Sequence, residues 1–213
     1  MGYSSNLNGV LAQFRGFGDR NLVGYMESHD EQWLMFKNIS YGNSNGNYNI
    51  REFPTAFDRM ELAGAFFYLL PGPKMMWQFG ELGYGYGDNG EQCLRNEGSD
   101  ECPSIAPGRT GNKPIRWDYY NMPNRRDLYA IISELNHLRR KNPVFSNDIN
   151  HNLSVNGFMK RIKLSDANLE VVVIGNFNIN PGNIDPNFHK TGWWYDHFTR
   201  DSINVSDVNA NIN

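Results

Sequence analysis

The chain has 213 residues, a formal net charge of −3 and no basic run, which argues against a nucleic-acid partner. No apolar stretch is long enough to span a bilayer; Phe53 to Leu70 comes nearest, and Arg59 and Glu61 interrupt it. No signal peptide is visible.

The first informative segment is a short apolar run, Leu22-Val23-Gly24-Tyr25-Met26, which reads as a buried strand. It leads into Glu27-Ser28-His29-Asp30-Glu31. An acid and an imidazole at the C-terminal mouth of a buried parallel strand sit where α/β barrels place their chemistry. Placed there, Asp30 can hold charge against a substrate and His29 can hydrogen-bond it. As a lone triplet, Ser28-His29-Asp30 reads first as a surface loop whose Asp caps the next helix.

Pro54 to Leu70 is expected to be a helix, with Phe57, Met60, Glu61, Ala63, Gly64 and Phe67 at helical spacing. It stops at Pro71-Gly72-Pro73, a strong breaker. Lys74 to Phe79 reads as a second short buried strand. The turn Gly80-Glu81-Leu82-Gly83-Tyr84 comes next and carries an acid, Glu81. After a long Gly- and Asn-rich loop, Arg125 to Lys141 reads as an amphipathic helix with Leu128, Ile131, Ile132, Leu135 and Leu138 on one face. The order βαβα implies a parallel sheet with right-handed crossovers.

Cys93 and Cys102 flank eight residues of the Gly-rich loop. A pair this close can close a disulfide that rigidifies the loop, which points to an oxidising, extracytoplasmic or secreted setting. The alternative is two free thiols in a cytosolic loop. Two cysteines without histidine spacing do not make a zinc site. The loop acids Asp88, Glu91, Glu97, Asp100 and Glu101 match no calcium template and read as solvated charges. His137, His151, His189 and His197 show no metal spacing.

Beyond Pro143 the period changes. Phe158 to Leu164, Glu170 to Phe177 and Trp193 to Phe198 read as strands, separated by turns such as Asn180-Pro181-Gly182-Asn183. This sets a domain boundary near Asn142 to Phe145. Of the many rings, Trp117, Trp193 and Trp194 are expected in the core. Tyr84 and Tyr86, in the loop after the second strand, are placed either to touch a sugar or to pack.

On these residues the chain resembles the α-amylase family of glycoside hydrolases over roughly residues 20 to 200. Ser28-His29-Asp30 looks like that family's last conserved active-site motif, at the end of the seventh barrel strand. Leu69 to Gly83 looks like the eighth strand with its flanking helix end and loop, and Arg125 to Lys141 like the eighth barrel helix. The remainder looks like the small β-domain that comes after the barrel.

The resemblance implies an α/β fold: residues 1–143 forming the C-terminal part of a (β/α)8 TIM barrel, then an all-β sandwich over 144–213. Such a barrel needs about 250 residues. The chain is therefore expected to be the C-terminal portion of a larger enzyme, with Met1 not its natural start. It implies a retaining glycosidase acting on α-1,4-linked glucans such as starch. The nucleophile and acid/base of that mechanism, two carboxylates about 5 Å apart, would lie upstream of residue 1, so this portion alone is expected to be inactive.

Asp30 would be the third carboxylate, gripping ring hydroxyls and favouring the distorted transition state, and His29 would bond the same hydroxyls. Glu81, Tyr84 and Tyr86 are candidate substrate contacts. So is Trp33, which stands where many amylase-like sequences carry an arginine and which can stack on a sugar but cannot neutralise an acid. Ser28 to Glu31 and Pro71 to Lys74 resemble 1,4-α-glucan branching enzymes about as well. A non-catalytic relative that binds glucan or another protein is the third class. The implied partner is an α-glucan or maltooligosaccharide. No cofactor is expected in this portion, with calcium possible in the intact enzyme, and the unpaired barrel edges invite self-association.

Overall fold

The computed structural model describes residues 6–18, 21–85, 115–146 and 150–212. They divide into two compact units, one spanning Gly9–Asn147 and the other combining Asp148–Asn213 with the segment up to Asn8.

In the larger unit, β1 (Gly24–Tyr25) leads through a turn to α1 (Leu34–Tyr41) and a small hairpin, β2 (Ser44–Asn45) with β3 (Tyr48–Asn49). Helix α2 (Phe53–Leu69) and β4 (Lys74–Met75) come next, and α3 (Pro123–Lys141) closes the unit. Strands β1 and β4 pair in parallel, with Gly24 opposite Lys74 and Tyr25 opposite Met75. The βαβ order read from the sequence is thus realised, and the architecture is mixed α/β.

The strands are shorter and less covered than expected. Val23 and Tyr25 are half exposed, and so is Met76. Burial of both faces needs a covering layer on each, and among the described residues β1 and β4 pair only with each other. Gly24 faces inward instead. A Cβ there would meet the Phe67 ring at 3.4 Å, so α2 lies directly on the strand.

Helix α2 carries Pro54 in its first turn, where a missing N–H costs nothing. Of the predicted stripe, Phe57, Met60, Gly64 and Phe67 are buried and Glu61 and Ala63 are half-buried; Ala56 is buried beside them. Gly64 lets α3 approach: its Cβ position lies 3.7 Å from Ile132 and 3.8 Å from Leu135. Helix α3 buries Leu128, Ile132 and Leu135.

The last turn of α3 also closes α2. The Arg139 guanidinium donates to the carbonyls of Tyr68, Leu70 and Gly72 at 2.7–2.8 Å, which satisfies acceptors a helix end leaves open. Lys74 donates to Pro71 and Gly72 carbonyls, both at 2.9 Å, and burial pushes its ammonium down to about 7. No helix among the described residues is long and apolar enough to cross a membrane.

The smaller unit is antiparallel. Strands β5 (Asn150–Ser154), β6 (Met159–Ser165) and β7 (Glu170–Asn176) form one sheet in that order. β6 alternates strictly, burying Lys160, Ile162 and Leu164. Lys160 stays inside because its ammonium donates to the Val155 and Gly157 carbonyls and lies over the Phe177 ring.

A separate hairpin joins β8 (Gly192–Tyr195) to β9 (Ser202–Val205). The strand expected over Trp193 to Phe198 ends at Tyr195. The Asp196 carboxylate accepts the Phe198 and Thr199 amides at 2.8 Å and opens a turn there.

Candidate functional site

The turn after β1 is built by its own short side chains. Ser28 is buried and its Oγ accepts the Asp30 N–H at 3.2 Å. His29 and Asp30 are thereby presented together. His29 Nε2 lies 3.3 Å from Asp30 Oδ2, with 64% and 60% of the two side chains exposed. A pair this open adds little to stability. Both side chains face solvent, where a ligand that carries hydroxyls can reach them. The His29 ring also lies 5.9 Å from Trp77.

Because β1 and β4 are parallel, the loops that leave them emerge at the same edge of the sheet. His29 and Asp30 lie in the loop after β1, and Glu81 lies after β4 in a 3-10 turn, Gly80–Leu82. Glu81 is half buried, and burial raises its carboxyl above the usual range. It lines a cavity of about 330 Å³ together with Met76, Tyr129 and residues of α3 as far as Arg140; His29 and Asp30 are not among the lining residues. The structure thus brings His29 and Asp30 into contact but does not bring Glu81 into the same cavity.

Two of the expected sugar contacts take another role. Trp33 is fully buried and meets Tyr84 edge to face at 4.7 Å. Tyr84 is 1% exposed and stacks on Phe79 at 5.6 Å. With Phe36, Leu82 and Tyr119 they form one apolar cluster beneath the turn. Neither ring can reach a sugar. Their place is dictated by the backbone: Gly85, at φ +112°, runs so close to Trp33 that a Cβ would sit 2.4 Å from the tryptophan's own Cβ. Arg125 locks the cluster from α3. It donates to the Leu82 and Gly83 carbonyls at 2.8 and 2.6 Å, and its guanidinium lies 3.6 Å from the Tyr119 ring centre. Tyr86, Cys93 and Cys102 lie outside the described residues.

Trp117 shows the opposite correction. Expected in the core, it is 72% exposed and touches Phe79 edge to face at 5.0 Å. Phe79 itself adopts φ +57°, a left-handed conformation rare for a bulky residue. The strained residue thus links the buried cluster to an exposed ring.

Glu27, in the segment between β1 and His29, is a buried acid that the sequence pattern does not single out. It is 4% exposed, and neither carboxylate oxygen meets a donor in good hydrogen-bond geometry. Burial pushes its carboxyl up to about 8, and the Glu81 carboxylate adds to the rise; the nearby Leu34 amide and Lys37 ammonium oppose it. Gly80 packs against it, with the Cβ position 3.6 Å from Oε1. Burial thus favours the protonated form of this carboxyl, two residues before His29. The available signal was an acid placed directly after an apolar strand.

No family model matches the chain, and no curated protein matches it. Among solved structures, an α-amylase from H. orenii is similar, with a TM-score of 0.46 and 17% sequence identity. The match covers 90% of this chain and 39% of that one.

Proposed function

We propose that this chain contributes the substrate-gripping part of an α-glucan-active retaining glycosidase, with Asp30 as transition-state stabiliser and His29 as a hydroxyl donor. The observation that carries this reading is the exposed His29–Asp30 contact in the turn after β1, at the sheet edge to which the parallel pair directs both loops. Glu27 holds a proton beneath that turn and keeps uncompensated charge out of it. Trp117, rather than Trp33 and Tyr84, offers an exposed ring to a sugar. The nucleophile and acid/base belong in this reading to the rest of the enzyme. A disulfide between Cys93 and Cys102 and an extracytoplasmic setting go with it.

The test is Asp30→Asn in the intact protein, assayed on maltooligosaccharides. A contact that strengthens only in the transition state is lost from kcat, with a smaller change in KM. The expected fall is on the order of a thousandfold, equivalent to about 4 kcal/mol. A near-normal kcat removes Asp30 from the role. Product analysis in the same assay separates hydrolysis from transfer to a second glucan.

A further inference from the structure

The β8–β9 hairpin presents a feature that the proposed active site does not use. In its register Trp193 stands opposite Asn204 and Tyr195 opposite Ser202. Residues directly opposite, and residues two apart on a strand, share one face. Trp193, Tyr195, Asn204 and Ser202 therefore form a single patch, and all four are exposed, Trp193 at 62% and Tyr195 at 73%. The other face carries the packing contacts, although Ile203 on it is half exposed: Trp194 lies 4.7 Å from Phe188 and donates its indole N–H to the Lys190 carbonyl at 3.0 Å, and Val205 is buried. The hairpin has a ring for its core already, so Trp193 and Tyr195 are not there to fill one.

The geometry points to a stacking platform for a neutral polysaccharide chain on Trp193 and Tyr195. Four properties fit that ligand. The rings lie about 7 Å apart along the strand, far enough to take neighbouring sugars of one chain. Each faces a polar partner, Asn204 with an amide donor and acceptor and Ser202 with a hydroxyl. A sugar is also apolar on its ring face and polar on its rim. The patch carries no charged side chain, which matches an uncharged ligand and gives nothing to a phosphate or an anionic lipid. The adjoining carboxylate of Asp196 is occupied by the turn amides, which hold it below its ordinary range. Those bonds pin the β8–β9 connection, so little ordering remains to be lost on binding. An α-glucan is the polysaccharide chosen, and that choice alone rests on the proposed function.

The experiment is retention of the full chain on insoluble starch, cellulose and chitin, comparing wild type with the double variant Trp193→Ala, Tyr195→Ala. Circular dichroism controls for folding, and Phe14→Ala, which removes an exposed ring in the other unit, serves as the control variant. Retention on starch that weakens at least about tenfold in the double variant, as expected for losing two ring faces, and not in Phe14→Ala, supports the platform. Trp193→Phe with Tyr195→Phe keeps the ring faces and is expected to keep most of the retention. Retention on cellulose or chitin but not starch, again lost in the double variant, upholds the platform and overturns the α-glucan assignment. No retention on any of the three, or retention the double variant does not change, overturns the platform. So does a wild-type dimer that the double variant dissociates without any polysaccharide binding.

Discussion

Two aromatic groups in this chain are alike in composition and opposite in use. Beneath the turn that carries His29 and Asp30, Trp33, Phe36, Phe79, Tyr84 and Tyr119 are buried against one another. On the β8–β9 hairpin, Trp193 and Tyr195 stand in solvent. Expectation from the sequence runs the other way for several rings: the family resemblance makes Trp33 a candidate sugar contact, Tyr84 stands between a sugar and packing, and Trp117 and Trp193 are expected in the core. Residue type predicts that a ring buries area somewhere; which side of the backbone has neighbours decides where. Near the turn the chain folds back on itself, and Gly83 and Gly85, both at positive φ, bring the loop onto the rings. On the hairpin the Trp194 face receives Phe188 and Val205 is buried, which leaves the Trp193 face open.

That contrast can be broken most sharply at Trp33. Trp33→Ala is expected to cost about 3–5 kcal/mol, as for a large buried ring with a residual cavity, and chemical denaturation measures it. Should the loss be under about 1 kcal/mol, far below the range for a buried ring, the cluster is not a core and Trp33 is free to meet a ligand after all.

Arg125→Ala comes next. It leaves the Leu82 and Gly83 carbonyls without their charged donor and removes the cation from the Tyr119 face. A loss of about 2–4 kcal/mol is expected. Arg125→Lys should recover part of it, because a lysine keeps charge but not the forked geometry.

Glu27 gives a pH test. Its folded-state carboxyl is raised from the ordinary 4.5 to about 8. Between those values the unfolded chain releases the proton and the folded chain keeps it. The contribution to stability is therefore complete below pH 4.5 and is lost as pH rises through about 8. Glu27→Gln does not titrate, so its melting temperature should fall less than that of the wild type between about pH 5 and pH 8. Parallel curves for the two proteins would mean that Glu27 is ionised in the fold.

The smallest effect belongs to the hairpin. Trp193→Ala should change stability by no more than about 0.5 kcal/mol, as for an exposed substitution outside any packed contact. A thermal melt indistinguishable from wild type, set beside the Trp33→Ala loss, would state the contrast as two numbers. A large loss at Trp193 would show that its face is covered.

The features legible without the fold obey local rules. Pro71-Gly72-Pro73 ended α2 where expected, because neither proline can continue a helix and Gly72 takes φ +96°. The 3.6-residue stripes of α2 and α3 located their buried faces. The order of apolar runs and helices gave a parallel pair, since a crossover helix leaves little other choice. Helix α1 and the β2–β3 hairpin went unread: α1 has no side-chain cap at Trp33 and a single turn of buried residues, Met35 and Phe36, to announce it. β5 is a polar run, Asn150-His151-Asn152-Leu153-Ser154, that becomes a strand only because β6 offers it a ladder.

Sequence by itself therefore determined helices α2 and α3, the breaker after α2, the parallel topology and the proximity of His29 to Asp30, all of which depend on residues close together in the chain. Tertiary structure alone decided which rings are wet, that burial raises the Glu27 carboxyl, that Arg125 holds a loop more than forty residues away, and that Trp193 and Tyr195 share a face with Asn204 and Ser202. Those properties depend on what lies across a gap in space. Burial, the dielectric around a carboxyl and the identity of a cross-strand neighbour are set by distant segments arriving together, and no window along the chain contains both partners.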